Sequence, residues 1–349
     1  MRKTTFLTLA AAAALLGLSP RDADACTRCV YLGPDGGVIV ARSMDWMEDT
    51  RSNLYVFPRG MKRDGAAGPG SLAWTSKYGS VVGTIYDVAS VDGMNEQGLV
   101  ANVLYLAESD YGKPDGSKPV LCISLWAQYV LDRFATVAEA VEALRAEPFT
   151  IVAPTLPNGS PATGHLAITD PTGDTAVFEY VGGKLVIHHD RKYTVMTNSP
   201  TFDRQLAINE YWDEIGGEAM LPGTHRAADR FVRASYFMKS IPDISDEARA
   251  IATMFSVIRG VSVPLGIATP GKPNIASTVW RSIIDAKHRT IYFDSATSPT
   301  VCWVSLPALD FSEGTPVKKL ALSGGETYSG EASAAFKPSE PFRPLSGAE

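Results

Sequence analysis

The sequence predicts an α+β fold of stacked layers built on mainly antiparallel sheets. Three observations carry this. Strand-like and helix-like segments come in blocks, in the order strands, helices, strands, helices, strands, rather than alternating as a parallel βαβ sheet requires. The first two strand-like runs, 27–32 and 37–43, are joined by Pro34-Asp-Gly-Gly37, a hairpin signal. No glycine-rich phosphate loop follows a strand, and no Gly-x-Ser-x-Gly turn occurs.

The elements follow in order. Ser43-Met-Asp-Trp46 places Arg42 and Asp45 at the end of the second strand. A third strand is expected at 54–57, then a Gly- and Pro-rich loop at 62–70. Sheet character resumes at 72–76, 80–85 and 100–106, with the turn-rich stretch Asp92-Gly-Met-Asn-Glu-Gln-Gly98 between the last two. Residues 120–134 are apolar and free of Gly and Pro, which predicts a helix. Thr136-Val-Ala-Glu139 is a capping box that opens another, ending at Arg145. Strands are expected again at 165–169, 176–180, 184–188 and 193–197. Helices follow at 205–214, 227–239 and 246–259, the last behind Ser245 as N-cap. Strands at 277–285, 290–293 and 300–306 close the pattern. Beyond Asp310 the chain is rich in Gly, Ser, Pro and Ala without periodicity, and is expected to wrap the surface.

Hydrophobic residues make up 45% of the 349, enough for a packed core. No repeat, low-complexity tract or long polar linker divides the chain, so residues 26–349 are expected to form one domain. Residues 1–25 read as a secretory signal: Arg2 and Lys3, the apolar run 6–18, then Ala23-x-Ala25 as a small-residue cleavage site. That run falls short of the roughly 20 residues needed to span a bilayer, so no stable membrane anchor is expected. A periplasmic or secreted location follows, with cleavage between Ala25 and Cys26. Lipidation of Cys26 is disfavoured, because Ala23 and Asp24 lack the branched-apolar-then-small pattern. The net charge of −6 becomes −7 without residues 1–25, 29 basic against 36 acidic residues. Such a surface has no basic footprint for nucleic acid.

Four cysteines, Cys26, Cys29, Cys122 and Cys302, are too few for a disulfide scaffold. Cys122 and Cys302 sit in apolar runs and read as buried hydrophobes. Cys26 has three readings. It can be an N-terminal nucleophile whose own α-amine moves the proton, since free amines titrate near 7.7–8.0 and thiols near 8.5. It can pair with Cys29 as a redox or metal-binding Cys-x-x-Cys in a secreted module, although the five histidines show no matching ligand spacing. It can also be an ordinary packed or bridged residue. The residues alone leave all three open.

A further set of motifs recurs in order: Cys26-Thr-Arg, Ala41-Arg-Ser-Met-Asp-Trp46, Asp92-Gly-Met-Asn-Glu-Gln-Gly-Leu99, Met196-Thr-Asn-Ser-Pro-Thr-Phe202, and Leu221-Pro-Gly with Ala228-Asp-Arg-Phe-Val-Arg233. Together they resemble the choloylglycine hydrolase family of penicillin V acylases and conjugated bile acid hydrolases, within the N-terminal-nucleophile hydrolases. The likeness is strongest to the Gram-negative penicillin V acylases, some of which also cleave N-acyl-homoserine lactones.

The resemblance implies a four-layer αββα sandwich, hydrolysis of a small-molecule linear amide with an apolar acyl group, a homotetramer, and no metal or organic cofactor. It implies Cys26 as nucleophile, Asp45 holding the amine and thiol, and Arg42 beside the sulfur. The Asn198 amide and the Tyr105 N–H would face the oxyanion, and Arg230 would complete the charge network. Bile acid hydrolases usually carry Asn where Tyr105 stands, which tilts the expected substrate toward penicillins. Asn102 would compete for that position if the alignment slipped. Met44, Trp46 and Tyr55 are candidates to line an acyl pocket. Taken singly, Arg42 and Asp45 read as a surface ion pair, Asn198 as a turn residue, and Arg230 as part of a solvated helix face. Asn95 reads as structural.

Overall fold

A computed structural model describes residues 26–216, 219–269, 272–324 and 326–347, with the side chains of 268–275 left aside. The expected signal segment lies outside the described residues. The protein is an αββα sandwich. A seven-stranded sheet runs in the order Val195–Met196, Thr27–Leu32 (β1), Val38–Asp45 (β2), Thr278–Asp285, Thr290–Ser295, Val301–Ser305 and Gly330–Glu331. A nine-stranded sheet faces it, in the order Lys184–His189, Thr175–Val181, His165–Thr169, Val100–Leu104, Ala89–Asn95, Ser80–Ile85, Leu54–Phe57, Lys318–Leu320 and Lys337–Pro338. Pairing is antiparallel throughout except where Val301–Ser305 meets Gly330–Glu331.

Helices cover both outer faces. Trp126–Arg133 (α1) and Val137–Arg145 (α2) lie on the nine-stranded sheet. Ala227–Ser240 (α4) and Glu247–Gly260 (α5) lie on the seven-stranded sheet, with Phe202–Ile215 (α3) against α4. This explains why β1 and β2 read as continuous rather than alternating apolar runs. Both faces of these central strands are covered, so β2 is buried along its whole length. The hairpin between them turns at Gly36, whose φ of 72° suits glycine.

Several segments differ from expectation for tertiary reasons. Residues 120–134 split into a short strand Val120–Cys122, a 3₁₀ turn and α1, because Val120–Cys122 pairs in parallel with Thr150–Val152. Asp92 to Asn95, expected as a turn, belongs to a central strand of the nine-stranded sheet. Asn95 is structural, as anticipated. Its side chain donates to the carbonyls of Leu131 and Phe134 and accepts from the N–H groups of Gln97 and Leu99. Half of the capping box forms: Thr136 accepts from Glu139 N at 3.2 Å, while the Glu139 carboxylate accepts from Ala135 N at 2.9 Å rather than from Thr136 N. The cap of α5 is Asp246, not Ser245. The segment beyond 310 does more than wrap the surface. It adds strands to both sheets and buries Phe311, Leu320, Phe336 and Phe342. Among the described residues, no helix is long and apolar enough to cross a membrane.

Candidate active site

Strand register assembles the site. Antiparallel pairing matches Arg28 with Met196 and Cys29 with Val195; continued two residues, it brings Asn198 opposite Cys26. On its other edge β1 pairs Thr27 with Ser43 and Arg28 with Arg42, which brings Met44 opposite Cys26. A separation of 172 residues thereby closes to a hydrogen bond from Cys26 N to Asn198 Oδ1.

The two chemical groups of Cys26 meet different surroundings. Its thiol lies 3.9 Å from Met44 Sδ and 4.0 Å from the Asp45 carbonyl. Arg42, two residues from Met44 and so on the same face of β2, donates to the carbonyls of Val91 at 2.7 Å and Val103 at 3.0 Å. Those bonds fix its guanidinium against the facing sheet, 4.9 Å above the Trp280 ring. Burial pushes the Cys26 thiol up, and the Arg42 charge opposes that shift.

The nitrogen of Cys26 meets the polar groups of the helix-covered face. Arg230, from α4, donates to the Cys26 carbonyl at 2.8 Å, to Thr27 Oγ1, and to Asn198 Oδ1 at 3.3 Å. Its Nη1 is 3.6 Å from Asp45 Oδ2. Asp45 Oδ1 accepts from the Thr278 hydroxyl, while Oδ2 has no hydrogen-bond partner among the described residues. Burial raises the Asp45 carboxyl to about 6, with Arg230 and Thr278 opposing. Arg42, Asp45 and Arg230 are all buried, so neither a surface ion pair nor a solvated helix face describes them.

Asn198 Nδ2 donates to the Tyr105 carbonyl at 2.7 Å. Its orientation is unambiguous, because Oδ1 receives two donors. Asn102 is committed elsewhere. It accepts from Arg28 Nε at 2.8 Å and donates to Asp92 Oδ1 at 2.5 Å, inside the sandwich. Tyr105, in contrast, lines the same cavity as Cys26.

That cavity is apolar. Met44, Trp46, Ile85, Ala89, Val91, Val103 and Leu345 contribute to its wall, with Cys26 and Arg42. Met44 and Trp46, expected at an acyl pocket, line this cavity beside Cys26. Tyr55 does not: it is buried on Leu54–Phe57, stacked on Phe57 at 5.8 Å and edge-on to Phe342 at 5.6 Å, with its hydroxyl on Asp87. Trp46 is held by the Tyr86 hydroxyl at 2.6 Å, which donates on to Glu48. Tyr86 and Asp87 both adopt left-handed φ angles, 53° and 51°, at the turn into Ala89–Asn95.

Residues 26–318 match the family model of the linear amide C–N hydrolases, choloylglycine hydrolase family. The chain belongs to this family. It is 50% identical over 343 residues to a penicillin V acylase of Pectobacterium atrosepticum, covering 91% of each chain. The solved penicillin V acylase of Agrobacterium tumefaciens is 55% identical, with a TM-score of 0.86 over 92% of this chain and all of that one. A variant of the conjugated bile acid hydrolase of Clostridium perfringens shares the fold, at 23% identity and a TM-score of 0.73, covering 87% of this chain and 99% of that one. The protein is thus a linear amide C–N hydrolase akin to the penicillin V acylases. That assignment displaces the Cys-x-x-Cys module, and Cys26 and Cys29 are separate thiols.

In this choloylglycine hydrolase relative, a second ring of residues positions the site, and sequence reasoning did not find it. His165 places Nδ1 2.8 Å from Glu179 Oε1 and Nε2 2.8 Å from the Thr197 carbonyl. Burial would raise the Glu179 carboxyl, but hydrogen bonds from His165 and Phe202 N, with His188 Nε2 3.7 Å away, overcome it and hold it down to about 2. Gln205 accepts from Thr197 N and donates to the Asn198 carbonyl. Together these groups fix the backbone that carries Asn198. No local motif marks them, since His165, Glu179 and Gln205 meet Thr197 and Asn198 only after folding.

Proposed function

We propose that the mature enzyme begins at Cys26, freed by removal of residues 1–25 outside the cytoplasm, and hydrolyses penicillin V-like amides. The observation that carries this is the division of labour around Cys26: an apolar cavity at its sulfur and a buried polar cluster at its nitrogen. A free amine brings hydrogens that a peptide nitrogen lacks. Asp45 Oδ2, buried without a hydrogen-bond partner among the described residues, is the acceptor suited to one of them.

The reaction runs in two stages. The α-amine takes the thiol proton, Cys26 Sγ bonds to the amide carbon, and negative charge moves to the carbonyl oxygen. Asn198 Nδ2 keeps a second hydrogen beyond the one given to Tyr105 O. It donates to this oxyanion together with the Tyr105 N–H. The C–N bond then breaks, and the leaving amine takes the proton from the α-ammonium. In the second stage a water, deprotonated by the same amine, attacks the thioester, releases the acid and restores the thiol.

The apolar wall suits a phenoxyacetyl group or the acyl chain of an N-acyl-homoserine lactone, each joined by an amide to a small ring. Tyr105 and the 50% identity to a penicillin V acylase favour these over conjugated bile acids. The working form is a homotetramer by resemblance, and exposed Tyr211, Ile215 and Met220 offer apolar surface for a second copy. Three measurements test the proposal: intact mass of the exported protein, light scattering, and parallel assays on penicillin V, a long-chain acyl-homoserine lactone and a taurine-conjugated bile acid. A mature chain not starting at Cys26, or full activity in Cys26→Ala, overturns the mechanism. Preference for the bile acid overturns the substrate assignment.

A further inference from the structure

Leu345 lies beyond residue 318, where the match to the family model ends, yet it lines the same cavity as Cys26. We infer that the C-terminal segment closes the far end of the acyl cavity and that Leu345 sets the length of acyl chain admitted. The inference rests on reading this cavity as the acyl site.

The axis of the cavity follows from its fixed points. Arg42, beside the sulfur, is hydrogen-bonded to the Val91 carbonyl. Leu345 N donates to the Val88 carbonyl at 2.8 Å. Val91 and Val88 are three residues apart, at most about 10 Å of chain, since Val88 closes the turn before the strand Ala89–Asn95. Ile85, Ala89, Ile123 and Ser124 line the same cavity. An acyl chain attached at Cys26 and running along this strand therefore meets Leu345 within about 10 Å.

The stop is held, not loosely draped. The Ser124 hydroxyl donates to the Leu345 carbonyl at 2.9 Å. Two residues on, Gly347 N donates to the Ala66 carbonyl at 2.8 Å, and a side chain at Gly347 would strike Val152. Upstream, Phe342 packs edge-on against Tyr55 and Phe57. Lys319 pairs with Asp87 at 2.6 Å, on the same turn whose Tyr86 holds Trp46. One turn therefore links the cavity's aromatic wall to its aliphatic end.

The test is a chain-length profile of kcat/KM on N-acyl p-nitroanilides from butanoyl to dodecanoyl, sharing one leaving group. Leu345→Ala, and a chain ending at Arg343, should move the optimum to longer acyl groups, by about fourfold per methylene newly accommodated. Leu345→Phe should move it to shorter ones. Thermal melting checks that each variant is folded. In parallel, tryptophan fluorescence follows binding of straight-chain carboxylic acids of the same lengths to each variant in a Cys26→Ala background. Matching shifts in binding sustain the role of Leu345 even if no anilide is cleaved, which would count against the amidase reading alone. Folded variants with the wild-type length dependence in both series overturn it.

Discussion

Asn198 joins the two halves of the site: Oδ1 receives the Cys26 nitrogen, and Nδ2 reaches the Tyr105 carbonyl at 2.7 Å. Asn198→Ala should lower kcat by about 10²–10³ with a smaller change in KM, because in the proposed mechanism the lost donor acts on the oxyanion rather than on bound substrate. Steady-state kinetics on penicillin V, with thermal melting as a fold control, checks this. An unchanged kcat would assign Asn198 to structure alone.

Asp45 should set the acid limb. Its carboxyl is raised from 3.8 to about 6 by burial, and the proposed mechanism needs it ionised. Activity should therefore fall as pH drops through about 6. Stability runs the other way. A raised acid pKa contributes stability that is complete below pH 3.8 and lost as pH rises through about 6. Urea unfolding between pH 4 and 7 should show this decline in the wild type and a flatter profile in Asp45→Asn, which should be inactive.

Arg42 should control the reactivity of the thiol. Replacing it with Leu removes the charge that opposes burial at Cys26. The pH midpoint of iodoacetamide alkylation should then move up and the rate at neutral pH fall. Alkylation of wild type and variant at several pH values, followed by mass spectrometry, reads this directly.

His165 and Glu179 form a buried pair behind Thr197. Breaking it with His165→Ala should cost about 3–5 kcal/mol of stability and lower kcat by loosening Asn198. The Glu179 contribution is complete above pH 4.5 and lost as pH falls through about 2. Acid unfolding of the wild type should accordingly steepen in that window, and Glu179→Gln should lack the step.

What could be read from residues alone was whatever sits close in sequence or in an ordered set of motifs. The block order pointed to stacked antiparallel layers, and Cys26, Arg42, Met44, Asp45 and Trp46 fall within 21 residues. The strand at Asp92–Asn95 was missed because its Gly and Asn are turn-formers, overridden by pairing on both sides. Tyr55 was misplaced because an apolar residue near the site gives no sign of which cluster it joins. The buried chain linking Arg28, Asn102 and Asp92 was not legible, because a polar chain between two sheets depends on registers no local pattern encodes. Leu345 was hidden for the same reason at greater distance.

β1 has a neighbouring strand on each edge and a covered face on each side. The ends of a chain ordinarily keep the most motion, yet Cys26, the proposed mature N-terminus, is pinned by Asn198, Arg230 and Met44 before any substrate arrives. The freedom that a free terminus would otherwise surrender on reaching the transition state has already been given up during folding. On the proposed reading, the sheet itself would act as the vice that holds the reactive end still.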